Sequence, residues 1–229
     1  MKNFFSKALY YLKYTALAFF LLSLFSVILF KYVNPPLTPL MVIRYFEYDN
    51  KNDDKKFEKD WVSFENISPN IVLATVAAED NNFPTHFGVD WEAIEKAHQL
   101  NKYNQNKHGG STITQQTAKN LFLTPSRTII RKGFELYFTF LIETFWSKKR
   151  ILEVYLNIIE LGNGVYGVEA ASQRYFHKPA SKLTRNEAAL ITSVLPSPRK
   201  RNLARPNGYM YYYQGRVLKL MDQIEKVNL

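Results

Sequence analysis

The sequence predicts a mainly α-helical protein, with one transmembrane helix leading into a helical domain. Three observations carry this reading. The uncharged run Tyr14 to Phe30 is dominated by Leu, Phe, Ala, Val and Ile. Past residue 68, helix-start signals recur: Ser68 before Pro69, Asp90 before Trp91, Ser147 before Lys148, and the box Thr184-Arg185-Asn186-Glu187. Helix stops follow at Gly162, Gly164 and Pro196, and Met41 to Phe46 alternates weakly.

Taken in order, residues 1–13 read as a cytoplasmic N-terminus, 14–33 as the anchor, 34–60 as a linker and 61–229 as the globular domain. The apolar run is slightly short of the roughly 20 residues a spanning helix needs. Leu12 and Val33 extend it, and Lys13 can snorkel. A cleaved signal peptide fits less well, because no small-residue cleavage site follows and Lys31 to Pro36 suits cleavage poorly. Lys2, Lys7 and Lys13 precede the run, which predicts a single pass with the N-terminus inside and the rest outside. The linker holds three prolines, room for one short strand at Met41–Phe46, and the charged run Asn50 to Asp60. Helices are then expected from Ser68 to Asp80, Trp91 to Leu100, Thr128 to Trp146, Lys148 to Leu161, Val165 to Phe176, Thr184 to Pro196 and Asn207 to Leu229. The polar stretch Asn101 to Gly110 reads as a loop.

With no cysteine in 229 residues, disulfides, thiolate metal sites and cysteine nucleophiles are excluded. The net charge is +10, and Lys119 to Arg205 holds fifteen Lys and Arg against six Glu and no Asp. That balance suits an anionic partner. Across a membrane, lipid headgroups or a phosphorylated lipid fit this charge and nucleic acid does not. His86, His98, His108 and His177 show no metal-ligand spacing, so a zinc hydrolase does not fit either.

Several blocks bear on chemistry. Glu79 and Asp80 end an otherwise apolar helix, where one acid should lean toward the packed side and the other toward water. Gly109-Gly110-Ser111-Thr112-Ile113-Thr114-Gln115-Gln116 sets hydroxyls and amides at a helix start. It can serve a sugar or phosphate, or act as an ordinary loop and N-cap. Arg131, Lys132 and Glu135 share one helix face, as a surface ion-pair lattice or a clamp for a diphosphate. Lys148 to Asn157 and Asn186 to Leu190 read mostly as core.

In their order and spacing these blocks resemble the peptidoglycan glycosyltransferase family. Its pattern E-D-x-x-F-x-x-H-x-G-x-D matches Glu79, Asp80, Phe83, His86, Gly88 and Asp90. G-G-S-T-I-T-Q-Q matches Gly109 to Gln116, and R-K-x-x-E matches Arg131, Lys132 and Glu135. K-x-x-I-L-E-x-Y-L-N matches Lys148 to Asn157, followed by the glycine-rich Gly162 to Gly167, and E-A-A-L matches Glu187 to Leu190. The resemblance implies a lysozyme-like helical domain with a small membrane-proximal lobe. The implied reaction polymerises lipid II, joining the lipid-linked growing strand to the 4-hydroxyl of an incoming unit.

By the same resemblance Glu79 is the general base, supported by Asp80, with His86 among the substrate-binding residues. Glu135 manages the departing diphosphate with Arg131, Lys132 and Lys148. Ser111, Thr112, Gln115, Gln116 and Lys119 line the donor side. No metal ligand is expected in the protein, although Mg or Mn can accompany the diphosphate. The membrane and cell-division or elongation proteins are the expected partners. No penicillin-binding domain is expected: Ser197-Pro198-Arg199-Lys200 fits S-x-x-K, but no K-T-G occurs. Two rivals are a lytic muramidase with Glu79 as general acid and a catalytically silent cell-wall scaffold. The cationic cluster counts against the first and the intact acid pair against the second.

Overall fold

The computed structural model describes residues 2–47, 57–103, 109–126, 128–224 and 227. Helix α1 (Lys2–Tyr32) contains a stretch of 27 residues, Ser6–Tyr32, with mean hydropathy 2.0, long and apolar enough to cross a membrane. Most of its length is exposed to the surroundings, but Ser23 and Val27 are buried. They pack on α6 (Ile129–Phe145), the long helix the sequence placed between Thr128 and Trp146. Phe19 meets the rings of Phe134 and Tyr137 at 5.4 and 5.8 Å, and the Ser23 and Tyr137 hydroxyls lie 2.6 Å apart. The Trp146 indole N–H donates to the Val27 carbonyl at 2.8 Å. At the far end of α1 the Arg150 guanidinium donates to the carbonyls of Phe30 and Val33, which the helix leaves without partners of its own.

The segment Met41–Phe46, expected as a strand, is helical: α2 runs Pro39–Glu47. The Thr38 hydroxyl accepts from the Met41 amide, Pro39 takes the first helical position, and Leu40 and Met41 are buried. A cap and a proline at N1 outweigh weak alternation. The charged run after α2 and the polar stretch before Gly109 lie largely outside the described residues.

The domain's helices begin where the sequence places their caps. Ser68 accepts from Asn70 at the start of α3 (Pro69–Glu79), and Asp90 from Ala93 at the start of α4 (Trp91–Tyr103). Thr112 opens α5 (Ile113–Phe122), and Ser147 opens α7 (Lys148–Ile158). Helix α7 ends three residues before the expected Leu161, because Glu160–Gly162 forms strand β2. Asn163-Gly164 turns it onto β3 (Val165–Tyr166), with Gly164 at φ +68°. Beside them β1 (Glu58–Lys59) pairs in parallel with β3, giving the order β1-β3-β2. Helix α8 therefore covers Val168–Phe176 rather than starting at Val165. Helix α9 (Arg185–Thr192) has the full Thr184/Glu187 capping box, and α10 (Gly208–Gln223) closes the described chain.

Two packing centres share one core. Helix α3 is apolar all round and packs against α9 and α10, while α5 packs against α6 and α7. Ile151, Leu152, Val154, Tyr155 and Leu156 of α7 are fully buried between them. At about 25 cal/mol per Å² of apolar surface, such burial dominates the fold's stability.

Candidate active site

The loop from Asp80 to Asp90 is built from its own residues. Asp80 caps the end of α3, and its carboxylate is buried. Oδ1 accepts from His86 Nε2 at 2.8 Å and Oδ2 accepts from the Ile113 amide at 2.8 Å. Phe83 is fully buried under the loop, with the Lys148 ammonium 4.7 Å from its ring centre. Gly88 sits at φ +74°, and a Cβ there would lie 2.6 Å from Thr139 Cγ2 and 2.8 Å from Glu143 Cγ. Its carbonyl accepts from the Thr112 hydroxyl at 2.7 Å. Asn82 donates to Asp90, which caps α4, so Asp90's role is structural.

The two acids therefore diverge, as their position predicts. Asp80 is spent on bracing the loop to α5. Glu79 is only partly buried and accepts from Gln116 Nε2 at 2.8 Å. Burial pushes the Glu79 carboxyl above its ordinary range; Gln116, Lys119 and Arg201 pull it back, and Asp80 adds to the rise. Gln116 is in turn held by Tyr155, whose hydroxyl donates to Oε1 at 3.0 Å.

The second block divides as well. Thr112 and Gln115 form a reciprocal capping box: Thr112 accepts from the Gln115 amide, and the Gln115 side chain accepts from the Thr112 amide. Both are buried. Ser111 is exposed and lies 3.4 Å from Lys132 Nζ. Gln116 and Lys119, by contrast, line an open cavity of about 590 Å³. Burial lowers the Lys119 pKa from its ordinary value, and Glu135 opposes that shift.

Arg131 joins them in the cavity wall. Glu135, on the same face of α6, is buried with one oxygen on Arg131 and the other on Lys132. Lys148 is turned elsewhere: it donates to the His86 carbonyl at 2.6 Å and to Glu143 at 2.8 Å. Glu143 also accepts from Thr114. His86 faces Asp80 rather than the cavity. The geometry thus gathers Glu79, Gln116, Lys119, Arg131, Lys132, Glu135 and Ser111, and sets Asp80, His86, Thr112, Gln115 and Lys148 behind them as bracing.

Sequence reasoning missed part of this wall. Tyr155 lines the cavity, as do Arg44 of α2 and Arg199 and Lys200 after α9. Tyr155 lay inside a matched block but read as core, and Arg199-Lys200 drew notice only as part of S-x-x-K. Glu143 carried no signal, because its partners Thr114 and Lys148 are brought to it by the packing of α5 and α7 on α6.

A half-buried carboxyl beside a cationic cavity in a helical domain suits an enzyme that moves a group away from an anionic leaving group. The transglycosylase family profile matches residues 47–222, and the chain belongs to that family. It is a glycosyltransferase with the mainly α, lysozyme-like fold. It is 52% identical over 202 residues to a biosynthetic peptidoglycan transglycosylase of Bdellovibrio bacteriovorus, covering 88% of this chain and 81% of that protein. A protein of that name from Bacteroides thetaiotaomicron is 45% identical over 220 residues, covering 96% and 89%. One from Escherichia coli is 58% identical over 166 residues, covering 72% and 69%.

Proposed function

We propose that this enzyme polymerises lipid II into linear peptidoglycan strands, working from a single-pass anchor in the bacterial cytoplasmic membrane. Glu79 acts as general base on the 4-hydroxyl of the incoming unit. That oxygen attacks the anomeric carbon of the lipid-linked donor strand with inversion. The bond to the polyprenyl diphosphate breaks, the diphosphate leaves with the electron pair, and Glu79 keeps the proton. Lys119, Arg131 and Lys132 receive the charge that develops on the leaving group. A diphosphate departs readily, so no protein acid is needed on that side.

The observation that carries this reading is the coupling of Glu79, through Gln116, to a cavity walled by Lys119, Arg131, Arg44, Arg199 and Lys200. A muramidase acting on uncharged glycan has no use for such a wall. A silent scaffold needs neither the wall nor a carboxyl held at a raised pKa. The Glu135 carboxylate has both oxygens on Arg131 and Lys132 and offers no ready metal ligand. Among the described residues no group of three His, Asp or Glu could hold a metal. This supports the reading in which Mg or Mn is carried by the donor's own diphosphate.

Helix α1 supports the anchor: it is apolar, and its end is tied to the domain through Trp146 and Arg150. Lys2, Lys7 and Lys13 ahead of the apolar run support an orientation with its start in the cytoplasm and the domain on the outer face. Purified enzyme given lipid II should yield long glycan and free polyprenyl diphosphate. Release of soluble muropeptides from finished peptidoglycan would instead favour the lytic reading.

A further inference from the structure

We propose that Tyr155 is a positioning residue for glycosyl transfer, using its phenol hydrogen to fix which end of the Gln116 amide meets Glu79. This rests on the reading of Glu79 as the base. Two contacts make the chain: Tyr155 OH to Gln116 Oε1 at 3.0 Å, and Gln116 Nε2 to Glu79 Oε2 at 2.8 Å. The three residues come from α7, α5 and α3, so the arrangement is a product of tertiary packing rather than of one motif.

A primary amide offers two donors at one end and an acceptor at the other. Flipping Gln116 would turn its oxygen toward Glu79 and its NH₂ toward Tyr155. An ionised Glu79 would then face an acceptor. The flip is opposed from the other side as well. Tyr155 is fully buried, and burial raises its pKa well above the ordinary value, so the phenol stays protonated across the working range. Its hydrogen needs an acceptor, and Gln116 Oε1 supplies one. A flipped amide would leave that hydrogen without an acceptor, which costs more than a typical bond gains. Tyr155 thereby holds the amide in the orientation that favours the ionised, proton-accepting form of Glu79.

The neighbours of Glu79 do not substitute for this. Asp80 beside it repels its charge, whereas Lys119 on α5 and Arg201 after α9 attract it from a distance. Tyr213 on α10 is pushed up to about 12, by burial and then by Glu79 itself. Gln116 alone among them donates a hydrogen bond to the carboxylate within the described residues. Orienting that one donor therefore has direct leverage on the protonation of Glu79.

The test is the pH profile of lipid II polymerisation by the full-length enzyme. Tyr155→Phe should move the acidic limb up by about half to one pH unit, read against the variant's own high-pH plateau. Gln116→Leu should move it at least as far, and adding Tyr155→Phe to Gln116→Leu should move it no further. p-Aminophenylalanine at position 155 restores a donor and should restore the limb. If the space left by Tyr155→Phe prevents folding, p-methylphenylalanine fills the volume without a donor and should give the shifted limb. An unshifted limb in an active enzyme, or additive shifts in the double variant, overturns the relay while leaving the base in place. Retained activity in Glu79→Gln would overturn both.

Discussion

The backbone amide of Ile113 donates to Asp80 Oδ2 across 2.8 Å, joining the end of α3 to the first residue of α5. This bond separates the fates of two adjacent acids. Asp80 is fixed between Ile113 and His86 and serves the loop, whereas Glu79 is left with Gln116 and the cavity beyond it.

Asp80→Asn should therefore act through structure. An amide oxygen can satisfy one of the two donors, but its NH₂ would oppose the other. One buried donor is left unmatched, at a cost of about 1–3 kcal/mol. Chemical denaturation should show that loss, with activity falling in step. A full loss of activity at unchanged stability would instead give Asp80 a direct part in the reaction.

Among Lys119, Arg131 and Lys132, Lys132 is the most exposed, with 42% of its side chain accessible, and it spans from Glu135 to within 3.4 Å of Ser111. Lys132→Ala should lower stability modestly, because its buried partner Glu135 then keeps only Arg131. It should weaken turnover in a salt-dependent way, because an exposed charge acts on the diphosphate through screened solvent. Polymerisation rates across a salt series check this. An unchanged rate would assign Lys132 to the ion-pair lattice alone.

Much of this was legible because the signals are local. Caps such as Ser147, and the box at Thr184 and Glu187, announce themselves within four residues, so α7 and α9 begin where expected. The sheet was not legible in the same way. Glu160–Gly162 continues the apolar run of α7, and only its pairing with Val165–Tyr166 makes it a strand. Gly162 and Gly164 signal the end of α7, but nothing local signals the strands that flank their turn. In the site, Glu79 and Arg131 were legible from the ordered blocks. Tyr155 was not, because a tyrosine amid Ile, Leu and Val reads as core. It is core, and its one polar atom finds Gln116 39 positions away.

The raised pKa of Glu79 ties the stability of the fold to pH. Folding favours the protonated carboxyl, so the native state is penalised once pH rises past the ordinary carboxylate range and the group ionises. Glu79→Gln removes that penalty and keeps an acceptor for Gln116. It should melt a few degrees higher than wild type near pH 8. The two should converge as pH falls to about 3, below the ordinary carboxylate range, where Glu79 is protonated in both states. Thermal melts at both ends decide it; equal melting temperatures throughout would mean that Glu79 titrates normally.

The most direct measurement is polymerisation of lipid II by Glu79→Gln, with helical circular dichroism confirming the fold. Loss of a positioned general base costs about two to four orders of magnitude. Essentially no glycan should form while the helical signal stays intact. A variant that kept a tenth or more of wild-type activity would contradict the assignment of Glu79 as the base.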